Sequence, residues 1–63
     1  MDAISILRTA IKEMGMDTRM AMHTAIAADA IENIELMISD GKCSITVWNY
    51  AYSVANRLFD LGL

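Results

Sequence analysis

The sequence has no proline, one cysteine, one histidine and three isolated glycines. A single cysteine excludes an intrachain disulfide framework. One cysteine with one histidine excludes a structural zinc site built from such ligands of a single chain, and isolated glycines exclude a glycine-rich phosphate loop. Charged residues make up only 21% of the chain, whereas hydrophobic residues make up 56%. That composition excludes a disordered protein, because there is ample apolar surface to bury and little net charge.

Basic residues are also few. Five lysines and arginines stand against eight acids, giving a net charge of −3 and an isoelectric point near 4.7. Nucleic-acid binders usually need a concentrated basic face, and Arg8 and Lys12 form only a two-charge patch. In a helix-turn-helix the third helix would contact the DNA bases, and the only basic residue that it offers is Arg57. We therefore expect no nucleic-acid partner. The alternative interpretation is that the chain is a small dimeric DNA-binding transcriptional regulator.

Hydrophobic side chains recur at the i, i+3, i+4, i+7 spacing of amphipathic helices along three segments. The segments span residues 2–14, 17–39 and 44–61. Short turns around Gly15 and Gly41 join them, and short turns give antiparallel neighbours. The sequence therefore predicts one all-α domain over residues 1–63, a three-helix antiparallel arrangement with a long central helix. Residues 44–48 have strand-like composition, so a short strand is the competing interpretation there.

The apolar excess predicts self-association. A chain of 63 residues buries only about 60% of its unfolded surface, and large exposed apolar patches usually mark interaction sites. We expect homo-oligomerisation, as a dimer, to complete the core. The predicted oligomer interface is the main stripe of the central helix: Ala27, Ile31, Ile34 and Ile38.

A second surface of the central helix carries acids and apolar residues together. Between Met20 and Gly41 there are four acids and no lysine or arginine. The predicted partner-binding residues are Met22, Asp29, Glu32, Leu36 and Asp40. They would dock a protein with a basic surface, and the competing interpretation is an ordinary solvated face. The methionines around Met16 and Met22 suit either core gaps or an adaptable interface, with Met20 expected to face inward and Met22 outward.

Three side chains are interpreted individually, because a histidine, a thiol and an indole can each have a specific role. His23 is expected to be a partly buried structural residue on the apolar face of the central helix. Cys43 precedes a helix next to Lys42, a position that lowers a thiol pKa, but the predicted helix length separates it from His23 within one chain. Trp48 shares the apolar face of the third helix, so we expect a mostly buried indole with a hydrogen-bonded N–H.

The function expected from these residues is non-enzymatic. No nucleophile, base and carboxylate fall at catalytic spacing, so the sequence predicts no catalytic residue, metal or cofactor. No apolar run approaches the roughly 20 residues of a membrane span, the N-terminus does not read as a signal peptide, and a lone thiol is typical of a reducing compartment. We expect a small acidic cytoplasmic adapter, regulator or inhibitor that docks on another protein, with no membrane partner.

Overall fold

The computed structural model describes residues 2–63, and all regular structure in that range is helical. The four helices are α1 (Ala3–Glu13), α2 (Thr18–Met22), α3 (Ala25–Ser39) and α4 (Ser44–Asp60). The prediction of an all-helical chain is confirmed, with 77% of the residues in helices. The strand considered for residues 44–48 does not form, because α4 begins at Ser44 and continues without interruption.

The long central helix predicted over residues 17–39 is wrong, because the chain leaves helical geometry between α2 and α3. Thr24 has an extended backbone, with φ −81° and ψ 155°. Its hydroxyl donates to the Ala21 carbonyl at 2.8 Å and accepts from the Ala27 N–H at 3.1 Å. A threonine side chain can thus replace backbone hydrogen bonds and start a new helix. The interruption makes four helices where three were predicted.

The interruption also changes which side chains face the core. Met20 is 61% exposed, and Met22 is half-buried against the core, the reverse of the predicted orientation. His23 is exposed at the C-terminal cap of α2, so the prediction of a partly buried histidine on an apolar face is also wrong. A continuous helix would have placed Met20 and His23 on one apolar stripe and Met22 on the opposite side, whereas α2 and α3 each orient their own residues.

The three long helices pack against one another in pairs, and α2 packs on α1 and α3. The buried residues form one core: Ala3, Ile6, Leu7, Ala10, Ile11, Met16, Ala21, Ala27, Ala30, Ile34, Val47, Ala51, Val54, Ala55 and Leu58. Two side-chain hydrogen bonds link helices outside this core, one exposed and one partly buried. The Tyr52 hydroxyl of α4 donates to the Glu13 carboxylate of α1, and the Asn33 amide of α3 donates to the Tyr50 hydroxyl of α4 at 2.9 Å.

Trp48 is less buried than predicted. Its indole is half-buried and lies against Tyr52, with ring centroids 5.9 Å apart and ring planes inclined by 34°. The indole N–H donates no hydrogen bond to an acceptor among residues 2–63. It is not a buried unsatisfied group, because no buried polar side-chain atom in that range lacks a partner. The indole therefore keeps one edge in solvent, at the rim of the core.

The role of Thr24 can be tested by substitution. Thr24→Ala removes the hydroxyl that caps α3 and should lower the free energy of unfolding by about 1 kcal/mol. Thr24→Ser keeps the hydroxyl and should retain most of the stability. Thr9→Ala is the matched control, because the Thr9 hydroxyl bonds only to the Ser5 carbonyl on the exposed side of α1. Urea unfolding that shows equal losses for Thr24→Ala and Thr9→Ala would contradict the capping role.

Candidate functional site

Four of the five predicted partner-binding residues lie on one exposed face formed by α3 and its C-cap. They are Asp29, Glu32, Leu36 and Asp40, which we call the docking stripe. Spacings of three and four residues place side chains in a row along a helix. The fifth predicted residue, Met22, does not join them. It belongs to α2, beyond the interruption at Thr24, and packs partly against the core.

Leu36 is the apolar centre of the docking stripe. Its side chain is 62% exposed. It borders a shallow cavity of about 430 Å³, which lies at the end of α3 and the turn that follows. The cavity is lined by Leu36, Met37, Ser39, Asp40 and Lys42. An exposed leucine next to a depression offers a partner both a projecting apolar contact and a recess.

The carboxylates of the docking stripe are largely unneutralised. The Lys42 ammonium lies 3.5 Å from the Asp40 carboxylate, and both groups are well exposed, so this ion pair contributes little to stability. The Asn33 amide donates to Asp29 at 3.4 Å, a long bond that leaves the charge of the carboxylate in place. No other cation within residues 2–63 forms an ion pair with the stripe. The face therefore keeps a negative potential.

Lys42 is a residue that the sequence prediction missed. It borders the cavity beside Leu36 and also a second, smaller cavity of about 230 Å³ between α1, α3 and α4. The second cavity is lined by Ile6, Ile38, Lys42, Ser44, Val47 and Trp48. The turn between α3 and α4 places Lys42 beside both cavities. No spacing in the sequence indicates that Lys42 would lie there.

The predicted oligomer interface is divided between core and surface. Ala27 and Ile34 have no exposed area and lie in the core of the single chain, and Ile31 is half-buried against it. Ile38 is 41% exposed and borders the smaller cavity. Of the four residues, Ile38 therefore offers the most surface to a second chain.

Cys43 and His23 stand on different elements and have different surroundings. Cys43 precedes α4 and is exposed, and its sulfur lies 3.1 Å from the Thr46 hydroxyl. That hydrogen bond, with the backbone N–H of Thr46, lowers the pKa of the thiol. His23 borders a third cavity with Arg8, Thr18, Arg19 and Met22. Residues 2–63 contain no group of three or more His, Cys, Asp or Glu placed to hold a metal ion.

Comparison with known proteins adds no relative: no protein-family model, curated protein or solved structure matches the chain. None of the helices in residues 2–63 combines the length and apolar character that crossing a bilayer requires.

The thiol chemistry of Cys43 yields a testable prediction. Because the Thr46 hydroxyl stabilises the thiolate, Thr46→Val should raise the pKa of Cys43 and slow its alkylation by iodoacetamide at neutral pH. Thr46→Ser retains the hydroxyl and should react as the parent does. Lys42→Gln should also change the rate little, because the shift arises from Thr46 and the backbone. Equal rates for Thr46→Val and Thr46→Ser would refute this assignment.

Proposed function

We propose that the chain is a non-enzymatic adapter or regulator that docks on another protein through the docking stripe. The observation that carries the proposal is Leu36, 62% exposed beside a cavity and set among carboxylates of one face. Protein interfaces typically combine an apolar anchor with a polar rim. The residues around Leu36 supply both, since the rim consists of Asp29, Glu32 and Asp40.

The charge of the stripe indicates the partner's chemistry. Like charges at i, i+3 and i, i+4 repel by a few tenths of a kcal/mol on a helix, so this row of carboxylates does not stabilise α3. A basic surface on a partner would relieve the repulsion and steer the encounter. We therefore propose a partner whose contact surface is basic and carries an apolar pocket or side chain for Leu36.

Transcriptional regulation through DNA contact has less support. In a helix-turn-helix the helix after the turn enters the major groove, and here that helix would be α3. The exposed residues of its first turns include Asp29 and Glu32 and no lysine or arginine. Carboxylates on the face presented to phosphates would be repelled by DNA, which favours the protein-docking proposal.

Site-specific cross-linking can find the partner and test the surface together. A photoreactive phenylalanine analogue at Leu36 should capture a partner in the source cells, because that side chain lies in the proposed interface. The same analogue at Asn56, an exposed position of α4, is the control and should not capture the same protein. Capture of one protein with equal yield from both positions would count against the docking stripe.

Binding kinetics with the captured partner then test the charges. Asp29→Asn, Glu32→Gln and Asp40→Asn combined should slow association and flatten its salt dependence, while stability holds or rises slightly. Leu36→Ser should speed dissociation without changing the salt dependence. Asp60→Asn, an exposed carboxylate at the end of α4, is the matched control. If all these variants bind as the parent does, the stripe is only a solvated face.

We also propose that the chain self-associates, through the surface around Ile38. Ile38 and Ile45 are 41% and 71% exposed at adjoining ends of α3 and α4, and the half-buried Trp48 borders the same cavity as Ile38. An apolar surface of this kind would be covered in a dimer.

Sedimentation equilibrium tests the self-association. The parent should show species heavier than the 7.0 kDa chain at micromolar concentration. Ile38→Ser should shift the equilibrium towards the single chain, whereas Phe59→Ser, at a distant exposed position of α4, should not. A parent that sediments only as the single chain would refute the dimer.

A further inference from the structure

The third cavity lies between α1 and α2, on elements that contribute nothing to the docking stripe. Its volume is about 300 Å³. The lining residues are Arg8, Thr18, Arg19, Met22 and His23. The turn after α1 brings these residues together, and Gly15 in that turn has a φ of 80°, a conformation that favours glycine. Two arginines from different helices thus line one recess.

The basic groups of this cavity have no acidic partner. The only ion pair within residues 2–63 joins Lys42 to Asp40, at the C-terminal end of α3. The nearest acid in sequence, Asp17, accepts from the N–H groups of Arg19 and Met20 at 3.0 and 3.3 Å and so caps its own helix. The side chains of Arg8, Arg19 and His23 form no hydrogen bond with any described residue. In a chain of net charge −3, this is a local concentration of unpaired positive charge.

We propose that this cavity binds the phosphate group of a small phosphorylated molecule. Guanidinium groups present forked N–H donors that match phosphate oxygens bidentately, and Arg8 and Arg19 supply two of them. The Thr18 hydroxyl, which forms no hydrogen bond within the described chain, and the His23 ring add further donors. Met22, half-buried at the cavity wall, provides an apolar contact for the carbon skeleton of an ester.

The number of charges distinguishes this ligand from a nucleic acid. Arg8, Arg19 and the neighbouring Lys12 are the only lysines or arginines on α1 and α2. Duplex DNA carries phosphates along its whole length, and its binders usually neutralise six or more of them. A recess with two guanidinium groups suits one phosphate group, whether on a soluble ester or on a lipid headgroup.

The test uses the full chain labelled with ¹⁵N and follows its amide chemical shifts. Inorganic phosphate and glycerol 3-phosphate should each give saturable shifts centred on Arg8, Thr18, Arg19 and His23. Sodium chloride at matched ionic strength should not. Glycerol 3-phosphate should bind at least as tightly as inorganic phosphate, because its carbon skeleton can contact Met22.

Variants locate the binding site. Arg8→Gln and Arg19→Gln should each weaken glycerol 3-phosphate binding about tenfold, the loss expected for a charge-assisted hydrogen bond. Arg57→Gln on α4 removes the same charge elsewhere and should bind as the parent does. Arg8→Lys keeps the charge and the fold but loses the forked donors, so it should also bind more weakly. Equal weakening by Arg57→Gln, or shifts that sodium chloride reproduces, would overturn the proposal.

Two further arms identify the source of the phosphate. Vesicles of phosphatidylcholine with phosphatidate that bind the chain, and release it to glycerol 3-phosphate, would assign the site to a lipid headgroup. Binding of glycerol 3-phosphate without vesicle binding would assign it to a soluble ester. Duplex DNA that shifts the cavity residues while glycerol 3-phosphate does not would refute the small-ligand proposal.

Discussion

Close approach of the helices through alanine is the constraint on which the rest of the structure depends. Nearly half of the buried core residues are alanines, among them Ala10, Ala27, Ala51 and Ala55, which have no exposed area. Small side chains at helix contacts allow the helix backbones to lie close together. A core packed at native density accepts no extra methylene group without strain. Only a few large side chains, such as Leu7, fit between them.

The narrow core accounts for the apolar surface. A chain that is 56% hydrophobic has more large side chains than its interior can hold. Leu36, Ile45, Phe59 and Leu61 each remain more than half exposed. The total surface of 4066 Å² is nevertheless close to the roughly 4,000 Å² expected for a folded monomer of this mass. The single chain thus exposes about as much surface as a monomer of this mass usually does, and the remaining large apolar side chains are part of that surface.

The sequence predicted features that depend on a repeated apolar spacing, and it did not predict features that depend on a single side chain. The helix predicted over residues 44–61 corresponds to α4 because its apolar period is continuous and a glycine turn precedes it. The residues of the docking stripe share one face because three of them fall within α3 and Asp40 is its C-cap. Met22 and His23 were misplaced because one threonine hydroxyl divides the helix, and no proline or glycine marks that point. The recess beside Arg8 forms where the turn at Gly15 brings α2 against α1, and no periodic spacing in the sequence marks the residues that line it.

The packing of α1 against α4 has a consequence for how the protein folds. The Tyr52–Glu13 bond and the shared core join two helices that are far apart in the sequence. Contacts of this kind cost loop-closure entropy before they contribute stability, so they slow folding. Formation of the core therefore depends on the meeting of α1 and α4 rather than proceeding helix by helix along the chain.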